Sequence, residues 1–198
     1  MINEKQISDL VFELVRRSET QTPPDVLAAL QRAKERETVP IAKMHVDAMI
    51  NNAFKAAEMG IPTCSGTGLM IFWVIYGTGA RMDGDFERAL IEGVRRSTGE
   101  GLVRPEAVHS LTRKNSGDNV GIGIPNIHYK ICPGADWIEI TANPKGGGGD
   151  AMGSAMKMFR LPAARENAKP FILDAVLGDG AFQGKACPPF IVGVGLGG

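Results

Sequence analysis

Two cysteines in stiff or tight turns are the side chains of this chain best suited to hold a metal or a cluster. Cys187 is followed by Pro188 and Pro189, whose rings fix φ and remove backbone donors, so its thiolate sits on a rigid, solvent-excluding turn. Cys64 lies in Pro62-Thr63-Cys64-Ser65-Gly66-Thr67-Gly68, a tight loop before an apolar strand, where backbone amides can surround a sulfur or an anion. A small buried thiol that merely closes a loop satisfies both motifs as well, because free cysteine is among the most buried residue types. Cys132, in an apparent turn with no companion at ligand spacing, reads as incidental.

Two loops carry the chemistry of anion binding. Lys145 precedes Gly146, Gly147, Gly148 and Gly149, and bare amides ahead of a helix, with a point charge beside them, suit a phosphate or a carboxylate. A nucleotide-binding loop needs its Lys-Ser/Thr pair after the last glycine, so the order here argues against one. Asn115-Ser116-Gly117-Asp118-Asn119, with Arg104 and Arg113 close in sequence, could grip a small carboxylate or carbonyl compound. Ordinary turn chemistry calls for the same residue types. His128 sits mid-strand between apolar neighbours and reads as a core histidine, and nothing singles out His45 or His109.

The elements that must position these residues follow from periodicity. Ile7, Leu10, Val11, Leu14 and Val15 recur at helical spacing, and Thr22-Pro23-Pro24-Asp25 opens a second helix through Val26, Leu27 and Leu30. A third helix, roughly Ile41 to Met59, places Met44, Ala48, Met49, Asn52 and Ala56 near one stripe and stops at Gly60. Leu69 to Ile75 is a continuous apolar run, read as a buried strand, and a helix over about Asp85 to Thr98 follows. Beyond the loop Asn115 to Pro125, Asn126 to Ile131 and Trp137 to Thr141 alternate and read as a hairpin. The loop Asn143 to Asp150 then precedes a helix with Met152, Ala155, Met156 and Phe159, another over about Arg165 to Leu177, and a last strand after Pro189. The expected fold is mixed α/β (α+β): a helical arm over residues 1–60 on a mixed-sheet core over residues 61–198, in one continuous domain.

Bulk properties narrow the function. The 22 basic residues balance the 22 acidic ones, so no net field recruits nucleic acid or an acidic membrane. The longest apolar run, Leu69 to Tyr76, falls far short of the ~20 residues that span a bilayer. No signal-peptide pattern opens the chain, and the 3 cysteines are sparse and odd in number, so a cytoplasmic address with reduced or ligating thiols is expected. The apolar, glycine-rich end from Phe190 to Gly198 is a poor terminus, where fraying favours polar residues, and suggests that a longer functional unit continues.

In order, Arg113-Lys114-Asn115-Ser116-Gly117-Asp118-Asn119, Ile127-His128-Tyr129, Pro144-Lys145-Gly146-Gly147-Gly148, Ala186-Cys187-Pro188-Pro189 and Gly193-Val194-Gly195-Leu196-Gly197-Gly198 resemble the alpha-type catalytic region of the iron-sulphur hydro-lyases that includes class I fumarases and tartrate dehydratases. The resemblance implies a 4Fe-4S cluster on three thiolates, its fourth iron open to act as a Lewis acid on a leaving hydroxyl. Cys64 and Cys187 fall on two ligand positions, and the third lies downstream of Cys187 in the family. It also implies a hydroxy-dicarboxylate substrate of the malate or tartrate type, a beta-type subunit or C-terminal domain as partner, and an oligomer. Arg104, Asn115, Asp118, Asn119, Lys145, Gly146 and Gly147 are the implied substrate contacts. The family's first cysteine is followed by Gln-Asp-Thr-Gly, here Ser65-Gly66-Thr67-Gly68, so no catalytic acid or base is assigned. With the third thiolate missing, this chain alone is expected to hold a cluster poorly and to be inactive. The rival reading is a non-catalytic anion-binding or assembly subunit that has lost that acid.

Overall fold

The computed structural model describes residues 1–146, 155–160, 162–178 and 188–197. Met1–Gly146 and Gly147–Gly198 form two compact units.

In the first unit, Ile2–Asn3 (β1) pairs in parallel with Met82–Asp83 (β3). Asn3 then starts α1 (Glu4–Thr20) through a reciprocal capping box with Gln6, both bonds at 2.9 Å, which satisfies two otherwise orphaned amides. Helices α2 (Pro24–Arg36) and α3 (Pro40–Met59) both carry proline in the first turn, and α3 ends at Gly60 with φ of 66°. The buried stripe of α3 runs through Ala53 and Ala56, while Met44 is 56% exposed. The expected stripe is therefore rotated. Asn52, placed on it by the sequence reading, instead donates to the Thr63 carbonyl at 2.8 Å.

Strand β2 (Thr67–Gly77) is the centre of a three-stranded sheet, parallel to β4 (Asn126–Cys132) on one side and antiparallel to β5 (Ile138–Gly146) on the other. The expected β4–β5 hairpin does not form, because β2 offers both strands a free edge and takes the place between them. The connection crosses the end of β2 instead. Gly77 and Gly79 donate to the carbonyls of Trp137 and Ala135 there, at 3.0 and 2.8 Å. A Cβ on Gly77 would lie 2.3 Å from the Ala135 oxygen, so only glycine lets the crossing chain approach.

Met70, Phe72 and Val74 point from β2 into the core with Ile7, Val11 and Val15 of α1 and Ala89, Leu90 and Val94 of α4 (Phe86–Gly99). The two helices touch where Gly93 meets Val11, since a Cβ at Gly93 would be 2.5 Å from a Val11 methyl. The other face of the sheet is partly covered, with Leu69, Ile71 and Ile75 of β2 half-buried. Trp73, 43% exposed, stacks on exposed His128 across the β2–β4 register, with ring centroids 5.7 Å apart. The core reading of His128 is thus corrected, and the buried-strand reading of β2 holds fully for one face and in part for the other. An unbroken apolar run looks the same whether one face or two are covered.

Strand β5 extends to Gly146, so Asn143, Pro144 and Lys145 lie in the ladder and not in a loop; Pro144 is tolerated because β5 is an edge strand.

In the second unit, α5 (Ala163–Leu177) contains Pro170 and buries none of its residues. The helix expected through Met152 to Phe159 is absent over residues 155–160, and residues 147–154 lie outside the described ones. Met156 is 99% exposed, so no burial offsets the unfavourable nucleation of a short helix. The expected strand after Pro189 is likewise not formed over residues 190–197, where Ile191 is 94% exposed and no ladder partner stands among the described residues. The whole is a mixed α/β fold. Among the described residues, no helix is long and apolar enough to cross a membrane.

Candidate functional site

The residues that could do chemistry meet where β2 begins and β5 ends. The Cys64 loop enters this corner from α3 and is fixed by partners distant in sequence. Thr63 donates its backbone N–H to the Glu19 carbonyl at 2.8 Å and its hydroxyl to the same oxygen at 3.1 Å. The Asn52 amide holds the Thr63 carbonyl from α3. The Cys64 side chain is exposed, and the Gly66 N–H points at its Sγ from 3.3 Å. Gly66 leaves room: among the described residues a Cβ there would meet just that sulfur, at 3.4 Å.

Under the loop lies Glu19, 4% exposed at the end of α1. Desolvation pushes its carboxyl up to about 7, opposed by the Thr67 hydroxyl that donates to it at 2.8 Å. The same hydroxyl is 3.2 Å from the Cys64 carbonyl, and its single proton can serve either acceptor.

The ladder breaks register between Thr67 and Leu69, which face Gly146 and Lys145, so Gly68 is the extra residue of a bulge. No side chain fits there, because a Cβ at Gly68 would lie 2.5 Å from the Arg104 carbonyl and 2.5 Å from Glu106 Cγ. Bulges of this kind commonly sit beside functional sites and re-aim the chain. Arg104 runs alongside, its N–H donating to the Thr67 carbonyl at 2.8 Å and its Nε reaching towards the Gly66 carbonyl at 3.5 Å. Its guanidinium is ion-paired with Glu106. On the other side, a Cβ at Gly146 would be 3.2 Å from the Gly66 oxygen. Cys64, Arg104, Lys145 and Gly146 therefore share one corner.

The loop 115–119 stands behind that corner and braces it. Asn119, fully buried at φ of 58°, accepts from the Glu106 and Ala107 amides at 2.7 and 3.1 Å. It donates to the Arg104 carbonyl at 2.8 Å and to the Thr98 hydroxyl at 3.2 Å. All of its hydrogen-bonding capacity is directed to the protein. Asn115 holds the Pro105 carbonyl at 3.0 Å. Asp118 pairs with Arg95 of α4 at 3.1 Å. Partial desolvation would raise its carboxyl, but Arg95, the Val120 amide and Ser116 outweigh it and hold it below the usual range. Cys132 pairs with Gly77 at the opposite end of β2, roughly 30 Å along the strand at ~3.3 Å per residue. Gly147 and Cys187 lie outside the described residues. A groove of about 420 Å³ between α1 and β5, lined by Leu14, Arg17, Ile140 and Ala142 among others, contains none of the candidates.

The family model for fumarate hydratase (Fumerase) matches residues 8–198. The chain belongs to the Fumerase family. It is similar to the "Putative L(+)-tartrate dehydratase subunit alpha" of Methanocaldococcus jannaschii, with 38% identity over 196 residues that cover 98% of this chain and 67% of that protein. L(+)-tartrate dehydratase subunit alpha of Escherichia coli (strain K12) and of Shigella boydii are each 28% identical over 191 residues, covering 96% of this chain and 62% of theirs. The chain thus spans about two thirds of the length of these relatives.

In this Fumerase chain Cys64 fits one position of a cluster site: its sulfur faces solvent, an amide points at it and its loop is fixed. Among the described residues no group of three His, Cys, Asp or Glu side chains is placed to hold a metal ion. Two acids at the corner escaped the sequence reading, and both left a signal. Glu19 continues the buried stripe of Ile7, Val11 and Val15 at the next i+4 position, an acid where an apolar residue is expected. Glu106 stands two residues after Arg104, a spacing that puts both side chains on one side of an extended segment.

Proposed function

We propose that this chain is the alpha-type part of a hydro-lyase that removes water from, or adds it across, a small hydroxy-dicarboxylate of the malate or tartrate type. One observation carries the reading: an exposed cysteine, fixed in a loop with an amide on its sulfur, shares a corner with the half-exposed guanidinium of Arg104. A thiolate suits a metal and a guanidinium suits a carboxylate. Family membership and the names of the relatives point the same way.

Cys64 would hold a 4Fe-4S cluster together with Cys187 and a third thiolate from a position downstream of Cys187, with a beta-type subunit or C-terminal domain as partner. When bound, such a cluster supplies Lewis acidity for the departing hydroxyl. Arg104 would orient one substrate carboxylate, with Lys145 and the Gly146–Gly147 backbone at the other. Asn115, Asp118 and Asn119 would keep the Arg104 segment in place. An oligomer in a cytoplasmic setting, where thiols stay reduced, completes the proposal.

The test is anaerobic cluster reconstitution of the chain with its completing partner, followed by hydration and dehydration assays on fumarate, malate and tartrate. A brown chromophore and turnover of one of them are expected; a colourless, inactive complex would overturn the reading. The rival, a non-catalytic anion-binding or assembly subunit, is favoured by the missing carboxyl at Gly66. Gly66→Asp separates the two, because among the described residues its new Cβ meets just the Cys64 sulfur, at ordinary contact distance. A gain of turnover in the cluster-loaded protein identifies a degenerate enzyme, whereas absence of any cluster identifies a binding module.

A further inference from the structure

The Arg104–Glu106 pair is unevenly placed. Its guanidinium side chain is 54% exposed and its carboxylate side chain only 8%. One carboxylate oxygen, Oε1, is bound to Arg104, whereas Oε2 is buried with no hydrogen-bond partner. Gly68 forms the bulge against it, its hypothetical Cβ only 2.8 Å from Oε2, and the Glu106 backbone is clamped by Asn119 at 2.7 Å. A buried carboxylate oxygen without a donor is unfavourable and calls for explanation by a missing partner. That partner must donate, so it cannot be a carboxylate.

We propose that Glu106 is a specificity-determining residue, whose Oε2 accepts a hydrogen bond from a substrate hydroxyl while Arg104 takes the neighbouring carboxylate. The inference rests on the hydroxy-dicarboxylate reading above and deepens it. A ligand arriving from solvent meets the exposed guanidinium first. As its carboxylate draws Arg104 outward, the acid beneath is uncovered beside the α-hydroxyl. The pair then reads both groups of an α-hydroxy acid, rewarding the carboxylate and the hydroxyl separately. A dicarboxylate without the hydroxyl would release Glu106 from its counter-ion and offer no donor in exchange.

The experiment measures binding, by calorimetry on the complete protein, of succinate, malate and tartrate, which carry no, one and two hydroxyls. The wild type is expected to favour the hydroxylated ligands over succinate by roughly 10–100-fold, the range of a charge-assisted hydrogen bond. In Glu106→Met, similar in length but without an acceptor, the preference collapses to within about threefold: the hydroxylated ligands lose their acceptor, and succinate, which no longer parts Arg104 from a buried carboxylate, binds at least as well as to the wild type. Glu106→Gln, which keeps the shape and a weaker polar contact, falls between the two and decides the matter if the Met variant does not fold. A preference unchanged in a folded Glu106 variant overturns this inference and leaves the proposed function standing. If the wild type binds none of the three, both fall.

Discussion

Replacing Glu19 by Gln should stabilise the first unit at neutral pH and leave it unchanged in acid. The folded carboxyl titrates near 7, against an ordinary value of 4.5, because burial disfavours its charge. Below about pH 4.5 the group is protonated in the folded and unfolded chains alike. Between about 4.5 and 7 only the folded chain keeps the proton, so stability falls as pH rises. Above about 7 both are ionised and the full penalty stands. The difference of about 2.5 units corresponds to a ceiling of about 3 kcal/mol, which solvent relaxation around the loop reduces to about 1–2 kcal/mol. A glutamine keeps an oxygen for the Thr67 hydroxyl, 2.8 Å away, and removes the titration. The assay is urea unfolding from pH 4.5 to 8, followed by the fluorescence of Trp73 and Trp137, which both lie in this unit. The variant should gain about 1–2 kcal/mol at pH 8, a rise of ~2–8 °C in midpoint temperature, and match the wild type near pH 4.5. Parallel pH profiles for the two proteins would refute the reasoning.

Three further perturbations probe the scaffold and the site. Gly77→Ala drives a methyl against the Ala135 carbonyl and should cost about 2–3 kcal/mol in chemical denaturation; a neutral result would mean that the crossing chain shifts freely. Asn119→Ala removes four hydrogen bonds and leaves an alanine at φ of 58°, a loss of about 3–4 kcal/mol, of which Asn119→Gly should recover about 1 kcal/mol. Arg104→Met should weaken dicarboxylate binding by roughly 10–100-fold in calorimetry and also lower the unfolding midpoint, because it strips the buried Glu106 carboxylate of its counter-ion.

How far the sequence alone could be read differs from element to element. Helix α4 was legible because Asp85 caps it and its apolar residues keep the 3.6 period; the capping bond to the Arg88 amide is present at 3.0 Å. The pairing of β4 was not, because two short alternating strands joined by a proline-glycine turn look like a hairpin unless a third strand competes for their edges. Long-range topology decided that, and periodicity does not encode it. At the site, residue type pointed to Cys64, Arg104, Lys145 and Gly146, all of which lie at one corner. The polar run 115–119 was legible as a ligand grip and as turn chemistry. The structure directs the Asn119 amide wholly to backbone and to Thr98, a choice that depends on which carbonyls lie behind it. Glu106 was missed because its partnerless oxygen is a property of packing, and no residue type announces it.

The bulge at Gly68 acts as a phase shift in the alternation of β2. Counting down from Val74, Phe72 and Met70, every second residue faces the core, which would turn Thr67 to the other side of the sheet. The inserted glycine reverses that, and Thr67 is 8% exposed against Glu19. Deleting residue 68 would remove no side chain and would leave Thr67 facing the core, two residues before Met70, but it would close the bulge and draw the cysteine loop one residue, ~3.3 Å, along the strand. The position of the thiol is thus set by a count of residues as much as by any contact, and an insertion or deletion here would be far more damaging than most substitutions.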